Sequence, residues 1–181
     1  CISREFHVLA SRGSSPITVW LRALCRSLHE ECGGPGVGAI GMCLTGNFAL
    51  SLMVDPWVMA PVLSQPSLPF PLGAERRRGL HVSDADLEVV RRRACHEGAG
   101  VLGLRFSHDP VVPAERFERL RAELGDGFEG IEIDSGPDNP HGIERGAHSV
   151  VTGHLTDEAG HPTREALDRV LDFFAERLRP S

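Results

Sequence analysis

The sequence predicts an α/β fold, a mostly parallel sheet with helices on both faces, and two observations carry that expectation. Four short apolar runs, near 37–42, 57–63, 101–106 and 128–133, alternate with stretches whose apolar residues recur every three or four positions. Strands alternating with helices in this way build parallel sheets from strand–helix–strand units. The run from Val37 holds small and apolar residues without polar alternation, as a strand covered on both faces does. It is therefore expected at the centre of the sheet. A length of 181 residues, 41% of them hydrophobic and 24% charged, suffices for one domain with a substantial core.

Residues 1 to 14 show no complete strand and helix unit and no initiating methionine. The first helix opens at Ser15-Pro16, a capping hydroxyl followed by proline at the first helical position. Ile17, Leu21, Leu24 and Leu28 recur at helical spacing and are expected against the sheet, and Gly33-Gly34-Pro35-Gly36 stops the helix. After the first strand, Phe48 to Val54 read as a buried helix and Trp57 to Leu63 as the next buried strand. The proline-dense run Ser64 to Pro71 cannot extend that strand. A loop leaving a central strand at its C-terminal end lies at the ligand crevice of an open sheet, so Gln65, Leu68 and Phe70 are candidate pocket wall. A rigid surface connection is the other reading.

Ser83-Asp84 caps a helix to about Glu97, with Leu87, Val90 and Ala94 inward. Val101 to Phe106 forms a strand, Pro113 to Leu124 an amphipathic helix ended by Gly125, and Phe128 to Ile133 the last strand. A polar loop from Asp134 to about Gly160 follows, long enough to be functional or disordered. Pro162-Thr163 starts a helix with Leu167, Val170, Leu171, Phe174 and Leu178 on one face.

Net charge is −6, and all 19 basic residues are arginine. An acidic chain is a poor ligand for nucleic acid or anionic membrane surfaces, so neither partner is expected. No apolar run approaches the roughly 20 residues that span a bilayer, and no signal segment opens the chain. The expected location is the cytoplasm. Arg76-Arg77-Arg78 and Arg91-Arg92-Arg93 read as solvated loop and helix end, with anion binding as the alternative. Five cysteines without paired spacing do not form a disulfide framework. Cys25 is expected in the core, and Cys32 and Cys95 as bystanders.

The strand from Val37 ends at Gly41-Met42-Cys43-Leu44-Thr45-Gly46, and an apolar helix follows at once. A cysteine at a sharp strand-to-helix turn has the form of a nucleophile elbow, which needs small residues on both sides. Gly41 meets that need. Thr45 stands where the pattern wants glycine, with Gly46 one step later. Cysteine is also a common core residue, and Asp109, three residues after a strand, belongs to an Asp-Pro pair that is a frequent turn starter. His141, His148, His154 and His161 lie on or beside the long loop at gaps of 7, 6 and 7. Those gaps fit neither one helical face nor the short ligand spacings of zinc sites, so no metal is expected, nor any other cofactor.

The elbow, the run Arg105-Phe106-Ser107-His108-Asp109-Pro110-Val111-Val112-Pro113 and the run Gly146-Ala147-His148-Ser149-Val150 together resemble the dienelactone hydrolase family. The resemblance spans about Ser15 to the C-terminus. It implies an α/β-hydrolase fold and a triad of Cys43, Asp109 and His148, in the order nucleophile, acid, histidine, with His154 as the runner-up histidine. It further implies that residues 1–181 form a single α/β-hydrolase domain lacking the N-terminal strands, the C-terminal portion of a longer polypeptide. The activity implied is hydrolysis of a lactone or small carboxylic ester through an acyl-thioenzyme. Leu44 would supply one oxyanion-hole amide and the preceding region the second. Arg145, or Arg105, could meet a substrate carboxylate. The upstream glutamate that the family couples to its cysteine has no match here. Two other readings stand beside this one, a catalytically silent relative that binds a small molecule or partner, and a thioesterase or acyltransferase on the same fold.

Overall fold

A computed structural model of the chain describes residues 16–179. The expectations for residues 1 to 14 and for Ser15 as a cap lie outside that range. Ten elements follow in order: α1 (Pro16–Cys32), β1 (Val37–Met42), α2 (Phe48–Leu52), β2 (Val58–Ser64), α3 (Ala74–Arg77), α4 (Asp84–His96), β3 (Val101–Phe106), α5 (Ala114–Leu124), β4 (Phe128–Ile133) and α6 (Pro162–Leu178). The four strands form one parallel sheet in the order β1-β2-β3-β4.

Two apolar clusters cover the two faces of this sheet. Leu50, Met53, Leu87, Val90, Phe117 and Leu120 from α2 to α5 pack with Val58, Leu63 and Val101 on one side. Ala166, Val170 and Phe173 of α6, with Ala147 and Val150 of the long loop, pack on Val62, Leu102, Leu104 and Phe106 on the other. The alternation along each strand follows from the twofold side-chain period. Caps act as their residue types predict: Ser83 accepts from the Asp86 amide at 3.1 Å, and Gly125 closes α5 with a φ of 50°.

Three expectations are corrected. Among the described residues β1 is an edge strand, not a central one. Its small residues admit close packing rather than report a flanking strand: Phe174 of α6 lies where a side chain at Gly38 would stand. On α1 the residues turned to the core are Thr18, Leu21 and Cys25, while Ile17, Leu24 and Leu28 are 37%, 40% and 42% exposed. Periodicity shows that a helix has an apolar stripe, not which partner covers it. On α6 the buried face is Thr163, Ala166, Val170 and Phe173, and Leu171 points outward.

The arginine runs also divide unexpectedly. Arg77 pairs with Glu115, Arg91 with Glu88 and Glu123, and Arg92 with Glu97, but Arg93 is buried. Its guanidinium donates to the carbonyls of Met53, Asp55, Pro56 and Val58 and so fixes the turn between α2 and β2. Cys25 is buried and Cys32 and Cys95 are exposed, all free. Among the described residues no helix is long and apolar enough to cross a membrane.

Candidate active site

The turn after β1 is built from steric necessity. Cys43 has a φ of 55°, a left-handed conformation that a non-glycine residue holds only where its surroundings impose it. A side chain at Gly41 would meet the Thr45 carbonyl oxygen at 2.2 Å, and one at Gly46 would meet the Pro66 Cα at 2.4 Å. Both glycines are required for the chain to double back. Thr45, out of place by sequence pattern, braces the turn: its hydroxyl donates to the Met42 carbonyl at 2.8 Å and accepts from the Met42 amide at 3.2 Å. The loop after β2 is clamped to the same turn, since Ser67 N donates to the Cys43 carbonyl at 3.0 Å.

Asp109 stands on the turn after β3, its carboxylate buried. Oδ1 accepts from the Val111 amide at 3.0 Å and Oδ2 lies 2.6 Å from His148 Nδ1. Two arginines hold the surroundings. Arg105 donates to the Val112 and Ser107 carbonyls at 3.1 and 3.0 Å and pairs with Glu132. Its burial and full set of partners make it a brace for the acid turn, not a group available to a substrate. Arg116 is fully buried and donates to the carbonyls of Pro66, Pro69, Arg76 and Gly79. Burial lowers its pKa to about 10 against the attraction of Asp109.

His148 completes the cluster from the long loop. Its hydrogen bond to Asp109 raises the imidazole to about 9 against the opposing effect of burial, and the Cys43 sulfur adds to the rise. Burial alone would push the Cys43 thiol up, but His148, the Ser67 hydroxyl and the Leu44 amide outweigh it, and the thiol lies below its ordinary value. The two shifts favour one state, thiolate beside imidazolium, and they belong to the pair more than to either group. His148 Nε2 has no hydrogen-bond partner among the described residues, whereas Sγ lies 3.6 Å from Ser67 Oγ. Ser67 is thus the side chain within hydrogen-bond distance of the sulfur, and His148 is the larger of the two side-chain influences that hold the thiol down.

Ser67 escaped the sequence reading, because nothing in a proline-dense loop distinguishes one serine. It is almost fully buried. Ser67→Ala is expected to raise the Cys43 thiol, seen as a shift of the alkylation profile to higher pH with the same fold by circular dichroism. An unmoved profile would remove Ser67 from the site.

Leu44 follows Cys43 in a 3-10 turn, and its amide faces the sulfur. Gln65, with a φ of 37°, is buried, and its Oε1 accepts from the Ser64 hydroxyl and from the Val150 amide at 3.4 Å. It therefore ties β2 to the histidine loop. Leu68 turns inward onto Phe48, with Leu21 and Leu44 beside them. Phe70 is 48% exposed. Arg145 is exposed and forms no ion pair among the described residues. No described group of His, Cys, Asp and Glu could hold a metal ion.

No protein-family model matches the chain, and no curated protein matches its sequence. Among solved structures, that of a putative dienelactone hydrolase from Klebsiella pneumoniae subsp. pneumoniae superposes on 88% of this chain with a TM-score of 0.58 at 18% identity. This is an α/β-hydrolase-like fold. The chain spans 60% of that protein's length. Cys43 follows β1, Asp109 follows β3 and His148 lies on the loop between β4 and α6.

Proposed function

We propose that the chain carries a thiol hydrolase centre acting on a lactone or small carboxylic ester, in the manner of dienelactone hydrolases. Cys43 is the nucleophile, His148 the acid–base and Asp109 the group that orients the imidazole and stabilises its cation. The observation that supports this most is geometric: a cysteine held with positive φ and, beside it, a histidine whose Nδ1 lies 2.6 Å from a buried carboxylate.

Attack of the thiolate on the carbonyl forms a tetrahedral oxyanion, for which the Leu44 amide is one donor. His148 then protonates the leaving alkoxide, releasing it and forming the acyl-thioenzyme. Water deprotonated by His148 attacks that thioester, and the acid leaves as the thiolate is restored. Phe70 offers apolar wall, and Arg145 is available to a substrate carboxylate. The proposed partner is thus a small ester or lactone, and the site asks for no cofactor.

The acylation rate should describe a bell in pH. It rises as Cys43 ionises below the ordinary thiol range and falls as the imidazolium loses its proton near pH 9. A panel of lactones, esters and thioesters, with kcat/KM followed across pH, tests this. Turnover confined to thioesters would assign the site to a thioesterase instead. No turnover, together with alkylation of Cys43 no faster than that of Cys32 or Cys95, would favour the silent binding relative.

A further inference from the structure

The long loop that carries His148 has neither helix nor strand to satisfy its backbone, so its amides must find partners elsewhere. Three successive amides do so through side chains. The Val150 amide donates to Gln65 Oε1 at 3.4 Å, and those of His148 and Ser149 donate to His154 Nδ1 at 3.4 and 3.1 Å. His154 Nε2 lies 2.8 Å from Glu144 Oε1, and its ring packs edge-on against Phe106 with centroids 5.9 Å apart. A ring nitrogen that accepts an amide proton carries no proton itself, so the hydrogen resides on Nε2 and is donated to Glu144. Glu144 in turn is fixed to the loop, since its carbonyl accepts from the Ala147 amide at 2.9 Å.

We propose that His154 is a positioning residue for His148. Glu144 orients the His154 ring, and Nδ1 gathers the two amides that set the direction in which the His148 side chain leaves the backbone. The Asp109–His148 contact of 2.6 Å depends on that direction. The inference rests on the reading of His148 as the acid–base of the site, and it assigns the runner-up histidine a function without placing it in the triad.

Asparagine can put a carbonyl oxygen close to where Nδ1 stands, whereas glutamine reaches the Nε2 position and leucine has no acceptor. The test is the His148 imidazole titration, followed by nuclear magnetic resonance in the native protein and in His154→Asn, His154→Gln and His154→Leu. His148 is expected to stay near 9 in the Asn variant and to fall toward the ordinary histidine range in the Gln and Leu variants, all remaining folded. Turnover should follow, since misplacing a catalytic group by about 1 Å lowers rates on the order of 10²-fold. An unchanged His148 titration in His154→Leu, or an equal fall in the Asn and Leu variants, would overturn the assignment. Failure of the underlying reading looks different: Cys43 alkylation would then be indifferent to His148→Ala, while the His148 titration would still report on His154.

Discussion

His148→Ala is expected to lower kcat/KM on the preferred ester or lactone by on the order of 10⁴-fold or more. The fall has two sources. The thiol loses the imidazole, the largest of the influences that hold it below its ordinary value, and the leaving group loses its proton donor. Cys43 alkylation should slow near neutral pH and recover once pH exceeds the ordinary thiol range, because alkylation needs only the thiolate. Hydrolysis should not recover there, since its proton transfers remain unassisted. Asp109→Asn separates orientation from acid–base chemistry. The imidazole should drop from about 9 toward the ordinary histidine value as its carboxylate partner is lost, and turnover should fall with it. His148 is partly exposed, so its removal should leave the melting temperature close to native. A His148→Ala protein that hydrolyses its substrate at the native rate would end the proposal.

Much of the frame behind this prediction was legible in the sequence because it depends on local rules. The strand at 128–133 has in the sequence the same bounds as in the structure, since a short apolar run between a helix-ending glycine and a polar loop has few alternatives. The residues brought to one place, Cys43, Asp109 and His148, were legible through their positions after strands and through the family resemblance. What was not legible is what chain order cannot encode. Neither the edge position of β1 nor the roll of α1 follows from hydrophobic period, which says how apolar a face is and not what lies opposite. The arginines show the same limit. Arg93, Arg105 and Arg116 each satisfy backbone carbonyls, and a sequence has no sign for a carbonyl in need of a donor. Ser67 itself, and the part that His154 plays, became visible only with the loops in place, because each acts on a residue it meets through tertiary packing. The sequence names Gln65 as pocket wall but gives no sign that its carbonyl is taken by the Val150 amide.

Gly41→Ala is expected to be among the most damaging single-methyl changes in the chain. The added carbon would stand 2.2 Å from the Thr45 carbonyl oxygen and 2.7 Å from that of Gly46, well inside van der Waals contact. Neither neighbour can yield cheaply. Thr45 is bonded through its hydroxyl to both backbone groups of Met42, and Gly46 is pressed against Pro66, whose carbonyl is held by Arg116. The strain must therefore be taken up by opening the turn that keeps Cys43 at positive φ. A destabilisation of roughly 3 kcal/mol or more is expected, in the upper range for point substitutions. The Cys43 thiol should return toward its ordinary pKa as the Leu44 amide and Ser67 draw away. Gly146→Ala provides the comparison, since nothing lies within 4 Å of its added carbon although it stands two residues from His148. Denaturant melts of the two variants, paired with their alkylation profiles, decide the matter. If Gly41→Ala unfolds at the native denaturant concentration with its thiol still depressed, the turn is not held by contact between these residues, and close packing cannot explain the elbow.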